Sequence, residues 1–166
     1  MTTNLKEMMD AANAAVPWIT PAQARDMVAQ GNALIVDVRD ALEVEKSGRI
    51  AGAVNVSRGL LEFRADPDSP SHDKSFAKDK NVIIYCGSGG RAALSGKVLK
   101  DMGYERVYNL GGFKDWAENA VAAVARCRNL RRGSFMVMLH QLEQLPRQNH
   151  IQRARALGSR HAKLMA

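Results

Sequence analysis

The chain has few cysteines and no long apolar run. Its 166 residues include two cysteines, Cys86 and Cys127, which are too few for a disulfide framework and give no sign of an oxidising compartment. No stretch approaches the length of a membrane span, and residues 1–16 carry charged side chains where a signal peptide has an apolar core. We therefore expect a cytoplasmic protein with no membrane partner, of a length that suits a single domain with a substantial core.

Acidic residues are nearly missing from the end of the chain. Residues 1–120 hold 15 Lys and Arg against 16 Asp and Glu, whereas residues 121–166 hold nine basic residues and one acid. The shift predicts a boundary near residue 120. We accordingly divide the chain into an N-terminal helical segment at 1–16, a domain at 17–120 and a basic C-terminal extension at 121–166, helical or disordered.

The basic extension carries no recognised nucleic-acid motif. It has a single aromatic residue, Phe135, so a base-stacking platform is not indicated, and nucleic-acid contact through its charges is left open. Its three histidines are not spaced as metal ligands. We expect no metal and no cofactor.

Strand and helix signals alternate through the central domain. Short apolar runs predict an edge strand at 17–19 and further strands at 33–37, 53–56, 81–85 and 106–110. Capping signals and helical spacing predict helices that begin near residues 20, 40 and 92. The alternation indicates an α/β fold, a mostly parallel sheet with helices on both faces. Ligands bind beyond the carboxyl ends of such strands, so Asp37 and Cys86, which both end strands, should share that edge.

Cys86 is followed at once by a glycine-rich turn, Gly87-Ser88-Gly89-Gly90-Arg91, and then by a helix. Successive backbone N–H groups in such a turn form an anion-binding nest at a helix N-terminus. The helix dipole and Arg91 favour the thiolate there. A buried cysteine is often a packing residue, but packing does not require a nest. We therefore predict that Cys86 is the nucleophile and that residues 87–91 bind the substrate.

The same turn also fits the glycine pattern of a dinucleotide-binding loop. That pattern needs an acidic residue about 20 positions further on, at the end of the next strand. The next strand offers only Asn109. Dinucleotide binding is therefore not indicated.

Four segments in chain order resemble the rhodanese family of thiosulfate:acceptor sulfurtransferases. The resemblance covers residues from about 19 to 119, and one of its departures is Gly87, which stands where many members carry Arg or Lys. The matching segments are Asp37-Val38-Arg39 with Glu43, Gly48 to Val56, the loop from Cys86 to Arg91, and Leu110 to Trp116.

This resemblance implies a three-layer rhodanese-like fold and a sulfurtransferase reaction. A small sulfur-donor anion such as thiosulfate would form a persulfide on Cys86, and a thiol or cyanide would accept the sulfur. Asp37 and Arg39 are expected to brace the loop by hydrogen bonds, with the Asp37 carboxylate capping nearby N–H groups. Arg58, just past the third strand, either faces the site or is a solvated surface side chain.

Two other functions remain open from the sequence. The first is a cysteine-dependent phosphatase or arsenate reductase, although the related phosphatases carry one more residue between cysteine and arginine than the four here. A shorter loop encloses a smaller volume, which suits a single sulfur better than a phosphate. The second is a persulfide relay or regulatory module that passes sulfur to an acceptor protein, with the basic extension helping the two to dock.

Overall fold

Four parallel strands form the sheet at the centre of the protein. The computed structural model describes residues 2–118. The sheet has the order β2-β1-β3-β4, and Trp18 adds a single parallel bridge to Asn109 beside β4. The predicted edge strand at 17–19 is therefore one bridged residue. The strands are β1 (Ala33–Asp37), β2 (Val54–Asn55), β3 (Asn81–Cys86) and β4 (Val107–Gly112).

Among residues 2–118, six helices pack around this sheet, and a 3-10 turn at Arg58–Leu60 leads into one of them. The predicted start of the second helix is confirmed, since Thr20 forms a capping box with Gln23 and Pro21 occupies the first turn. The helices are α1 (Leu5–Ala15), α2 (Pro21–Ala29), α3 (Ala41–Ser47), α4 (Leu61–Ala65), α5 (Gly90–Asp101) and α6 (residues 113–118).

The two faces of the sheet bury separate hydrophobic clusters. Side chains alternate between faces along a strand, so Leu34 and Val36 point to one cluster and Ile35 points to the other. The first cluster also takes residues from α4 and α5, and the second takes residues from α2 and α6. The prediction of helices on both faces of a parallel sheet is thus confirmed.

The N-terminal segment forms the expected helix, and it packs on the domain. Ala12 and Val16 are fully buried, and α1 lies along α5. A Cβ added at Gly96 of α5 would lie 2.8 Å from Val16 Cγ1. The absence of a side chain at Gly96 therefore lets Val16 reach the core.

Within residues 2–118, every helix is too short or too polar to cross a bilayer. The predicted basic extension at 121–166 lies outside these described residues.

Candidate active site

Cys86 lies at the carboxyl edge of the sheet, as the sequence predicts. It ends β3, and β3 pairs with β1 in a register that sets Asp37 opposite Tyr85. Asp37 and Cys86 therefore share one edge. The Cys86 side chain is 1% exposed, and its Sγ accepts a hydrogen bond of 3.1 Å from the backbone N–H of Gly89.

The active loop (residues 86–91) turns sharply into α5. Gly89 is the N-cap of this helix and has a φ of +94°, a left-handed conformation that glycine adopts without strain. This turn aims the Gly89 N–H at the sulfur and leads directly into the N-terminus of a 12-residue helix. The sulfur thus meets the positive end of a helix dipole, a position that favours anionic ligands.

Trp18 and residues of β4 support the loop from outside. The Asn109 side chain is fully buried, donates 3.1 Å to the Gly89 carbonyl and accepts 2.8 Å from the Gly111 N–H. A Cβ on Gly89 would lie 2.3 Å from Cη2 of Trp18, and a Cβ on Gly112 would lie 2.8 Å from the Gly87 carbonyl oxygen. The loop is therefore held in place by close contacts, with the Trp18 ring and with the backbone of β4, that only glycines permit.

Arg91 is bound to Glu43 of α3. Its two terminal nitrogens donate hydrogen bonds of 2.6 and 2.8 Å to the two carboxylate oxygens, and Asp40 lies 4.0 Å away. The hydrogen bonds from Arg91 lower the pKa of Glu43 to about 2, and the same pair raises the pKa of Arg91. The arginine predicted to supply positive charge to the loop thus carries a bound counter-charge.

Asp37 and Arg39 form a buried ion pair behind the loop. The two side chains are 0% and 3% exposed, and Arg39 Nη2 lies 2.6 Å from the Asp37 carboxylate. The guanidinium also donates to the Ser47 hydroxyl and the Gly48 carbonyl, both at 2.7 Å, and lies 4.3 Å from the ring centre of Phe113.

These contacts differ from the predicted bracing of the loop. Asp37 does accept a backbone N–H, that of Arg39 at 3.1 Å, but the hydrogen bonds of the Arg39 guanidinium hold the end of α3. The two side chains form an ion pair because each neutralises the charge of the other in a site that excludes water. Their support of the loop is therefore indirect, through the placement of α3.

Arg58 pairs with Glu62 one helical turn further on, at 2.8 Å. Its guanidinium is partly exposed. Both interpretations of Arg58, as a residue that faces the site or as a solvated surface side chain, therefore stay predictions. Ser88 of the loop is exposed, and residues 2–118 contain no cluster of side chains arranged to hold a metal ion.

Comparison with known proteins places this geometry in a family. The model of the family described as "Rhodanese-like domain" matches residues 20–119 of the chain. The chain belongs to the rhodanese-like family. This rhodanese-like chain is 34% identical over 93 residues to a sulfurtransferase of Allochromatium vinosum, a match that covers 55% of the chain and 78% of that protein.

Other relatives carry different names. A tRNA uridine(34) hydroxylase of the Wolbachia of Brugia malayi is 35% identical over 97 residues, which cover 57% of the rhodanese-like chain and 34% of that protein. The chain thus spans about a third of that relative's length. A solved structure from Rhodopseudomonas palustris, of a protein of unknown function described as a possible tyrosine phosphatase, has a TM-score of 0.65 and 38% identity over 72% of this chain and 92% of that one.

Sequence reasoning did not place Glu43, Asn109 or Trp18 in the rhodanese-like site. Glu43 was visible as part of a family segment, but nothing local links it to Arg91, which lies 48 residues away. In the sequence, Asn109 bears only on the missing acidic residue of a dinucleotide-binding loop. Its position within an apolar strand, directly before Leu110-Gly111-Gly112, is the signal that could have indicated a buried structural amide.

Proposed function

We propose that the chain is a sulfurtransferase that moves a sulfane sulfur from a donor such as thiosulfate to a thiophilic acceptor through a persulfide on Cys86. The observation that carries this proposal is the Cys86 sulfur, buried at a strand end and 3.1 Å from the Gly89 N–H at the start of α5. The membership of the rhodanese-like family and the sulfurtransferase among its relatives support it.

In the first step, the Cys86 thiolate attacks the outer sulfur of thiosulfate. The new bond joins Cys86 Sγ to that sulfur, while the S–S bond of the donor breaks and its electron pair leaves with sulfite. The enzyme then holds Cys86–S–S⁻. The Gly89 N–H and the dipole of α5 face the sulfur, so they stabilise the negative charge before and after the transfer.

In the second step, a nucleophilic acceptor attacks the outer sulfur of the persulfide. With cyanide, a C–S bond forms, the S–S bond to Cys86 breaks and thiocyanate leaves, which regenerates the thiolate. The small volume beneath a loop with four residues between Cys86 and Arg91 suits one added sulfur atom. Sulfur transfer therefore needs no cofactor in this scheme.

The test is the intact mass of the full chain after treatment with thiosulfate. We expect a gain of one sulfur atom, about 32 Da, which is lost again on addition of cyanide with release of thiocyanate. The Cys86→Ser variant should gain nothing under the same treatment. An unchanged mass in the unmodified protein, or a gain that persists in Cys86→Ser, would contradict the proposal.

A phosphatase is the second candidate, because a structural relative is described as a possible tyrosine phosphatase. The ion pair between Arg91 and Glu43 argues against it, since Glu43 balances the positive charge with which Arg91 would attract a phosphate dianion, and the four-residue spacing between Cys86 and Arg91 encloses less volume than a phosphate needs. We expect very poor hydrolysis of an aryl phosphate. Robust hydrolysis that disappears in Cys86→Ser would favour the phosphatase instead.

The persulfide could also pass to an acceptor protein. Such a relay shares the first step and differs only in the acceptor, so the mass gain would occur in both schemes. Turnover with cyanide or a small thiol alone distinguishes an enzyme with a free acceptor from a relay. We expect turnover with the small acceptor.

A further inference from the structure

We propose that the preferred sulfur donor is an organic persulfide, R–S–SH, with a neutral or cationic carrier group R, rather than the thiosulfate dianion. This inference rests on the proposed sulfurtransferase function and names the substrate class of the same site. It follows from the charges around the active loop and from an exposed aromatic side chain beside it.

The three arginines that the sequence offered to the site all have carboxylate partners. Arg39 is paired with Asp37 and Arg58 with Glu62, while Arg91 gives both terminal nitrogens to Glu43. The positive charge of each arginine is therefore balanced by a carboxylate of the protein itself. A donor dianion would approach an Arg91 whose charge Glu43 already neutralises.

The rim next to Arg91 is acidic. Asp40 Oδ2 lies 4.0 Å from Arg91 Nη1, on the same side as Glu43, so two carboxylates face one guanidinium. Gly87, which directly follows the nucleophile, adds no side chain at all. This combination repels an anion and attracts an ammonium group.

The charge carried by the reaction differs between the two donors. A thiolate and thiosulfate bring three negative charges together, whereas a thiolate and the persulfide group bring two when the persulfide is ionised and one when it is protonated. With the persulfide, Cys86–S⁻ attacks the outer sulfur of R–S–S–H, a Cys86–S bond forms, and the S–S bond of the donor breaks. The products are Cys86–S–S–H and R–S⁻, so the atoms, the proton and the charge balance.

Trp18 offers a surface for the carrier group. Its ring lies directly against Gly89 and Gly111, and the residue is nevertheless 54% exposed. The indole N–H donates 3.3 Å to the Asn13 side chain of α1, which helps to fix the ring. An exposed aromatic face beside the loop favours contact with an organic group, and thiosulfate has none.

The experiment compares two persulfides of similar size and opposite charge, those of cysteamine and of 3-mercaptopropionate, together with thiosulfate. The rate of sulfur addition to the full chain is followed by intact mass, and each rate is divided by that of the same donor with free cysteine. We expect the cysteamine persulfide to exceed the 3-mercaptopropionate persulfide about tenfold at low salt, with a smaller ratio at high salt. We expect thiosulfate to be the slowest of the three.

A charge variant provides the matched control. At Gly87 a new Cβ would meet only the ends of Arg91 and Glu43, at 3.4 and 3.8 Å, so a side chain fits there. The measured quantity is the ratio of the thiosulfate rate to the cysteamine persulfide rate. This ratio should be about tenfold higher in Gly87→Lys than in Gly87→Ala, which adds the Cβ without the charge. Trp18→Ala should slow both persulfides more than it slows thiosulfate.

The outcomes distinguish a failure of this donor preference from a failure of the proposed sulfurtransferase function. If thiosulfate loads Cys86 as well as the cysteamine persulfide does, or if Gly87→Lys and Gly87→Ala show the same ratio, the donor preference is wrong while the sulfurtransferase stands. If no donor loads Cys86, both proposals are wrong.

Discussion

Arg91 and Glu43 lie 48 residues apart in the chain and are joined by two hydrogen bonds, of 2.6 and 2.8 Å. The pair connects the first turn of α5 to α3 across the carboxyl edge of the sheet. A two-point contact between a guanidinium and a carboxylate fixes orientation as well as distance. The pair therefore sets both the position of Arg91 and the charge that it presents to the active loop.

The Glu43 carboxylate should remain ionised in acid. Hydrogen bonds from Arg91 lower its pKa from 4.5 to about 2, so the stabilisation from the pair is complete above about pH 4.5 and is lost as the pH falls toward 2. The side chain is 42% exposed, and we expect a contribution of about 1 kcal/mol or less. Carbon-13 NMR of the carboxylate measures the midpoint directly. In Arg91→Gln the midpoint should move back toward 4.5, and a midpoint already there in the unmodified protein would contradict the prediction.

The Cys86→Ser variant should fold normally and transfer no sulfur. The serine oxygen can still accept the Gly89 N–H, but it cannot form a persulfide. Circular dichroism and the thiosulfate:cyanide assay check the two halves of this expectation. Cys127→Ser is the control: that residue lies outside the described part of the chain, and nothing in its sequence surroundings predicts a nest, so the rate should stay within about twofold.

The Gly112→Ala variant should displace the active loop. Its new Cβ would lie 2.8 Å from the Gly87 carbonyl oxygen, which is backbone and cannot rotate away. We expect a loss of stability of about 1–3 kcal/mol and a fall in sulfur loading of about tenfold to a hundredfold. Gly59→Ala is the matched control, since nothing lies within 4 Å of its new Cβ. Equal loading rates in the two variants would show that the β4 contact does not position the loop.

The Asp37→Asn variant should be strongly destabilised. It would leave the Arg39 guanidinium buried without its counter-charge, which costs about 3–5 kcal/mol in the free energy of unfolding. Glu62→Gln breaks the partly exposed pair with Arg58 and should cost about 1 kcal/mol or less. Urea unfolding of both variants gives the comparison. Similar losses for the two would mean that burial does not distinguish these ion pairs.

Removal of the Tyr85 hydroxyl should also be measurable. The oxygen accepts a hydrogen bond of 3.1 Å from the Ile50 N–H in a fully buried position, where burial raises the pKa of the phenol. Tyr85→Phe leaves that N–H unsatisfied and should cost about 1–3 kcal/mol in the free energy of unfolding. Tyr108→Phe, on the partly buried β4 side chain, is the control and should change stability by about 0.5 kcal/mol or less.

The strands that the sequence predicted well are those that are buried on both faces. β1 and β3 read as short apolar runs because the two hydrophobic clusters cover them from either side. β4 was predicted to stop at residue 110, because Gly111 and Gly112 were assigned to the segment that opens the last helix. The strand instead continues through them, with a register shift opposite Ile84 and Tyr85, because the absence of side chains lets β4 approach Trp18 and the active loop.

The short elements between β2 and β3 escaped prediction. The 3-10 turn and α4 cover only residues 58–65, too short for a helical pattern to stand out, and Leu60 and Phe63 are exposed. The predicted strand at 53–56 contracts to Val54–Asn55, which pair with the last two residues of β1. The local sequence pattern is too short to define these elements, and the extent of β2 is set by its pairing with β1.

The active loop itself was predictable because its signal is local. A strand, a cysteine, three glycines and a helix follow one another within one stretch of chain. The environment of the loop was not predictable, because Glu43, Asn109 and Trp18 reach the loop from three other segments of the chain. Arg39 shows the same limit: the sequence predicted that it braces the loop, whereas its contacts with Ser47 and Gly48 depend on the path of α3.

The bridge between Trp18 and Asn109 bears on when the protein becomes reactive during its synthesis. Cys86 leaves the ribosome well before Gly112, and until β4 joins the sheet, Trp18 has no Asn109 to pair with and Gly87 has no Gly112 behind it. A nascent chain that ends between these residues holds the cysteine without the contacts that shape its loop. We therefore expect the proposed sulfur transfer only from a chain in which Trp18 and β4 have already met.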